Sequence, residues 1–169
     1  MKRILALVDD VYEDLELWAP KIRIEEEGWK VVVAGPEAGV VYSGKHGYPC
    51  RSDAAIADMR ADDFDALLLP GGFAPDKLRR DPHILAMTRA FDQAGKLIAF
   101  ICHAGWIPVS AGILKGRRAT GTVGIKDDLV NAGAIWIDEA LVVDGNLLSS
   151  RTPRDLHLFG KGIVDWLKA

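Results

Sequence analysis

Short runs of Leu, Ile, Val and Ala alternate along this chain with longer segments whose apolar positions recur at helical spacing. That alternation is the mark of βαβ units building a mostly parallel sheet with helices on both faces. Arg3 to Val8 reads as a first buried strand, Trp29 to Gly35 as a second, Asp65 to Pro70 as a third and Leu97 to Ile101 as a fourth. Each is almost wholly apolar, as a strand covered on both faces must be.

Between them the pattern predicts a helical stretch from Glu13 to Glu27 with Gly28 as its stop. Pro20 lies inside it, and a proline ring clashes with the carbonyl four residues back. The segment should therefore kink near Glu16, or begin as a turn and become regular only at Pro20. The glycine-bearing VVYSGKHGYPC reads as a β-hairpin on the sheet edge, Pro82 to Ala94 as a helix, and AGWIPVSAGIL as a helical run that tolerates Pro108 early. A short helix follows at Lys126 to Asn131, and LVVDGNLLSS reads as a hairpin turning at Asp144, Gly145 and Asn146. Thr152 as cap, Pro153 at the first helical position and Asp155 in the first turn open a last helix with Leu156, Phe159, Ile163 and Leu167 on one face.

No linker or repeat interrupts the series, so residues 1–169 are expected to form a single domain. With 21 basic and 24 acidic residues the formal charge is −3, and no basic excess marks nucleic acid as a partner. The apolar start meets Asp9 and Asp10 too soon for a signal peptide or a membrane span, so a cytoplasmic address is expected. The two cysteines, Cys50 and Cys102, have no CxxC spacing, and His46, His83 and His157 have none that indicates a metal site. No cofactor is called for.

In an open parallel sheet the ligand crevice lies beyond the carboxyl ends of the strands. Among those ends, Cys102 followed by His103 is the sharpest signal. A thiol on a strand-to-helix turn is presented to the crevice by a tight bend at the positive end of a helix, and both effects favour its thiolate; His103 beside it reads either as a general base or as a surface imidazole. Buried apolar packing is the plain alternative for a free cysteine. Gly71 and Gly72 end the preceding strand and can aim N–H groups at an oxyanion, though a tight turn alone would also use them. Glu16 at the crevice would be pushed towards its protonated form and could serve the sulfur; as a lone helical glutamate it would simply be solvated. The glycines that flank a strict nucleophile elbow are replaced by Phe100 and Ala104.

Taken together, LALVDDVYEDLELWAP, GKHGYP, FDALLLPGGFAPDKLR, AFICHAGWIPVSAGILKGR, GIKDDLVNAG and LVVDGNLLSSRTPRDL resemble the ThiJ/PfpI superfamily, and within it the PfpI-type intracellular protease and deglycase branch. The resemblance covers the whole chain in order. It implies a flavodoxin-like three-layer α/β sandwich, related to class I glutamine amidotransferases, with Cys102 as nucleophile, Glu16 as its carboxyl partner, His103 beside it and oxyanion donors at Gly71 and Gly72. It also implies a homo-oligomer, a dimer or a dimer-based hexamer. In that assembly an acid after LPGGxAP, here Asp76, reaches the His103 of an adjacent subunit; relatives with glutamate there have one methylene more.

The activities the resemblance implies are glutathione-independent glyoxalase, deglycase, peptidase, and a stress-related chaperone or redox sensor. One thiol and one carboxyl suit a small dicarbonyl or its early protein adducts better than an extended peptide. Two other readings are weaker. A glutamine amidotransferase needs a late H-x-E pair, whereas His157 is followed by Leu158 and Phe159; a phosphoacceptor receiver needs a central aspartate where Pro70 and Gly71 stand.

Overall fold

The computed structural model describes all 169 residues. Its apolar runs become β1 (Arg3–Leu7), β2 (Lys30–Gly35), β6 (Ala66–Leu69) and β7 (Leu97–Ile101), joined by β11 (Leu147–Ser150), β10 (Val142–Asp144) and a two-residue strand β5 (Ala54–Ala55). They form one seven-stranded sheet in the order β10-β11-β7-β6-β1-β2-β5, parallel except for the β10–β11 hairpin. Nearly every residue of β1, β6 and β7 is buried, which explains why these strands show no polar alternation.

Crossovers leave the central β1–β6 pair in opposite directions, one towards β2 and one towards β7. Right-handed connections then place α1 (Asp14–Glu25) on one face and α3 (Pro82–Gln93) on the other. α6 (Leu156–Lys168) packs beside α1, and α4 (Trp106–Ala111) beside α3. This is the expected flavodoxin-like arrangement. Phe91, Phe100 and Phe159 are fully buried in its core, where truncating any one to Ala typically costs about 3–5 kcal/mol. No helix is long and apolar enough to cross a membrane.

Several local expectations are corrected. α1 is a regular helix from Asp14, through Pro20, to Glu25, and does not wait for the proline. Its start is fixed by Glu13, whose carboxylate accepts the Glu16 N–H at 3.0 Å. The hairpin of β3 (Val41–Ser43) and β4 (Pro49–Arg51) is a separate two-stranded sheet; the main sheet ends at β5 instead. Its tip is pinned by buried Asp14, which accepts N–H groups of His46 and Tyr48, both at 2.8 Å. Thr152 makes no side-chain cap, because a 3-10 turn at Pro153–Asp155 precedes α6. Asp155 turns back to Arg151 there, accepting its N–H at 3.1 Å. A small parallel pair, β8 (Arg118–Ala119) with β9 (Ile135–Trp136), flanks a short α5 (Lys126–Asn131) and had no periodic signal to announce it.

Two non-glycine residues have left-handed backbone, Val11 (φ 65°) and Cys102 (φ 60°). For a β-branched side chain this costs about 1–2 kcal/mol. Val11 is held there because its N–H donates to Ser43 O and its carbonyl accepts from Phe73, both at 2.8 Å. Asparagine tolerates this conformation, and Val11, 37% exposed, lies outside the hydrophobic core. Val11→Asn should raise the melting temperature by about 2–4 °C. A calorimetric scan showing a lower value would refute the assignment of strain.

Candidate functional site

The β1–β6 switch point opens a crevice of about 260 Å³ at the carboxyl ends of the strands. Glu16 enters from the first turn of α1, Gly72 from the loop after β6, and Cys102 from the end of β7. Lys45 and His46, at the tip of the pinned hairpin, and Thr122 complete much of its lining.

Cys102 begins a 3-10 turn that leads into α4. Its left-handed backbone lifts the side chain off the strand axis, while its carbonyl accepts the Thr122 N–H at 3.3 Å. The sulfur faces His103 Nδ1 at 3.4 Å, and the backbone N–H groups of His103 and Gly72 also point to it. The thiol is partly accessible, whereas Cys50 is buried; burial pushes both thiols up.

Glu16 is wholly buried. Its Oε2 accepts the Gly71 N–H at 2.8 Å, and its Oε1 has no hydrogen-bond partner. A Cβ on Gly71 would stand 2.4 Å from Glu16 Oε2 and 2.9 Å from Cys102 Cβ, so only glycine lets the loop run between them. This corrects the oxyanion assignment. Gly71 spends its N–H on the carboxyl, which leaves Gly72 and His103 as the amides facing the sulfur.

Burial pushes Glu16 up to about 8, with the nearby Glu13 charge adding to it against the pull of the Gly71 N–H. Because Oε2 is engaged as an acceptor, the proton of neutral Glu16 belongs on Oε1. Burial also raises Cys102, followed by repulsion from any charge on Glu16. The expected low thiol pKa is therefore not found at rest: desolvation outweighs the bend and the helix terminus. Once Glu16 is protonated its repulsion vanishes, and the amides of His103 and Gly72 are left favouring the thiolate.

His103 is lowered by burial and then by the Lys45 charge, so it is a neutral acceptor near pH 7. Its ring lies between Phe73, stacked at 6.5 Å, and Trp106 at 5.2 Å. No carboxylate of its own chain bonds it. Asp76, in the short helix α2 (Ala74–Leu78), is exposed and paired with Arg80 at 2.9 Å. The structure thus gathers Glu16, Cys102, His103 and Gly72, sets Gly71 behind them, and leaves Asp76 outside the group.

Sequence reasoning missed Glu13, Asp14, Lys45, His46 and Thr122. The hairpin residues are about thirty positions from α1, and it is the bonds from Asp14 to His46 and Tyr48, with those of Val11 and Tyr12 to Ser43 and Lys45, that bring them over the crevice. Glu13, Asp14 and His46 offer ligand atoms within 4.8 Å of one another, yet the carboxylates already accept backbone N–H groups of Glu16, His46 and Tyr48.

The sequence pattern described as the DJ-1/PfpI family matches residues 2–166. The chain belongs to the DJ-1/PfpI family. Deglycase PfpI of Pyrococcus furiosus is 45% identical over 166 residues, covering 98% of this chain and 99% of that protein. YraA of Bacillus subtilis, named provisionally as a cysteine protease, is 43% identical over 167 residues and 99% of each chain. A crystal structure of a two-domain Anabaena variabilis protein, with DJ-1/ThiJ/PfpI-like and ferritin-like domains, superposes with a TM-score of 0.97 at 38% identity. That match covers 99% of this chain and 48% of the larger one.

The buried Glu16 carboxyl gives a stability test. Glu16 titrates near 4.5 when unfolded and about 8 when folded, so between those values the folded state holds a proton the unfolded chain releases. Stability from this group is full below the lower value and is lost as pH rises through the higher. Urea unfolding should show that loss from pH 5 to pH 8.5 in the native protein and a smaller one in Glu16→Gln. An equal loss in both would overturn the neutral state of Glu16.

Proposed function

We propose that the protein is a cysteine-dependent glyoxalase and deglycase acting on methylglyoxal-type dicarbonyls and their early adducts on proteins. The observation that carries this reading is the placing of a thiol, a neutral buried carboxyl and two backbone amides around one crevice of about 260 Å³. Such a space suits a compact dicarbonyl, and the groups present suit proton transfer around a single sulfur adduct.

His103, through an unprotonated Nδ1, takes the thiol proton as Cys102 sulfur bonds to the aldehyde carbon. The carbonyl π pair moves onto oxygen, which is held by the Gly72 and His103 amides and takes the proton of Glu16 Oε1. The product is a hemithioacetal, and Glu16 is left as a carboxylate. That carboxylate removes the proton on the former aldehyde carbon, and the electrons move through the new C=C bond onto the neighbouring ketone oxygen, which takes the proton held by His103 to give an enediol. Glu16 then returns its proton to the adjacent carbon while His103 takes the proton of the other hydroxyl as its C=O forms. The result is a lactoyl thioester, and water cleaves it to lactate and free thiol. Carbon is oxidised at one centre and reduced at its neighbour, so no outside oxidant is needed. With an adduct as substrate, the amine or thiol that had captured the aldehyde leaves with a proton from His103 as sulfur takes its place.

Purified protein should form lactate from methylglyoxal and liberate the amine or thiol of a fresh adduct. Cys102→Ala should abolish both, and Glu16→Gln should lower kcat by roughly 10²- to 10⁴-fold, the usual worth of general acid–base catalysis. Unchanged lactate production by Cys102→Ala would reject the mechanism, and turnover of a peptide amide in place of methylglyoxal would favour a peptidase.

A second copy of the chain is proposed to supply the missing carboxylate, Asp76, to the outer edge of His103. Support comes from the exposure of Asp76 and the lack of any acid on His103 within one chain. Mixed oligomers of inactive Cys102→Ala and impaired Asp76→Ala protomers should then regain activity, because one subunit in each pair has an intact sulfur facing an intact acid. No recovery on mixing would place Asp76 outside the reaction.

A further inference from the structure

A second cleft, of about 420 Å³, lies beside the Cys102 crevice. The two share Thr122, and Pro153 of the crevice sits in the chain between Thr152 and Arg154 of the cleft. The two cavities are therefore neighbours, separated by little more than Thr122 and the Thr152–Arg154 segment. Half-buried Trp136 provides an apolar wall there.

The charges of this cleft are not all equivalent. Arg151 is occupied: its guanidinium reaches Asp155 at 3.0 and 3.2 Å and Asp138 at 3.0 Å. Lys126 and Arg154 also line the cleft and are exposed, and neither is among the residues paired with a carboxylate. Of the acids beside Lys126 in α5, Asp128 is engaged by the Trp106 indole N–H at 2.8 Å. Two uncommitted cations thus line the cleft next to the crevice, and one is an arginine, whose planar fork matches a carboxylate.

We propose that Lys126 and Arg154 form a subsite for a carboxylate on the substrate's tail, so that the preferred adducts are those of amino acids or peptides with a free carboxylate. The proposal rests on the reading of Cys102 as the reacting group. A small aldehyde has no tail and cannot use the subsite; an adduct carries the amino acid with it, and the cleft gives that part a place. Because both cations are exposed, their effect on binding is modest and screened by salt.

The test compares methylglyoxal adducts of N-acetylcysteine and of N-acetylcysteine amide, which share thiol and electrophile and differ in charge. The ratio of kcat/KM, carboxylate over amide, should be roughly three- to ten-fold at low salt and approach one near about 0.5 M salt. In Lys126→Gln/Arg154→Gln the ratio should approach one at any salt. Equal rates in the native protein, or a preference that survives the double substitution, would overturn the subsite.

Binding separates this from the chemistry. Cys102→Ala protein should bind the S-acetonyl thioether of N-acetylcysteine more tightly than that of its amide, by a similar factor, and the two substitutions should remove the difference. If no adduct is turned over yet this difference is found, the proposed reaction fails and the subsite stands. If Cys102→Ala binds both thioethers alike, the subsite fails whatever the reaction proves to be.

Discussion

The hydrogen bond from Gly71 N–H to Glu16 Oε2 is the constraint on which the rest of the site depends. It fixes which carboxyl oxygen is an acceptor and so which one is left to carry a proton. It also requires glycine, since any Cβ would collide with both the carboxyl and Cys102. A buried carboxylate with a single amide donor is poorly solvated, and protonation is the cheaper outcome. The neutral state of Glu16 follows from its burial, with the Glu13 charge adding to it, against the pull of this one donor.

That neutrality changes what activates the sulfur. A cysteine at a helix start is usually read as a thiolate drawn down by the backbone dipoles. Here burial works against the thiolate, and the amides of His103 and Gly72 oppose that only in part. An anion on sulfur costs less when Glu16 is protonated than when it is charged, and burial opposes it in either state. The pair is therefore best regarded as one titrating unit, in which the charge state of either member sets the cost of charging the other.

Much of the fold could be read from the chain because its strands are apolar on both faces and its helices are amphipathic, so period and length distinguish them. Pro20 misled for an identifiable reason: a proline in the interior removes one N–H and strains one turn, but the Glu13 cap and packing against α6 hold α1 regular across it. Thr152 misled because Asp155 turned to Arg151 and a 3-10 turn took the place of the cap. In the site, Cys102 and His103 were visible as adjacent residues at a strand end. The part of Gly71 was not, since a glycine's N–H gives no hint of its acceptor. Lys45 and His46 were hidden by distance along the chain.

The segment Glu13 to Glu16 shows how closely spaced acids acquire different work from their surroundings. Glu13 caps α1 through the N–H of Glu16, and that same bond sets where the Glu16 side chain starts from. Asp14, one residue on, accepts from two amides of the β3–β4 hairpin and is held below the usual carboxylate range, those hydrogen bonds overcoming the cost of its burial. Glu16 is given one amide and no cation in contact, and it is pushed upwards. Between Asp14 and Glu16 the balance of burial against donors decides: two amides outweigh burial at Asp14, and burial outweighs one amide at Glu16. The two donors to Asp14 come from the β3–β4 hairpin and the single donor to Glu16 from the loop ending β6.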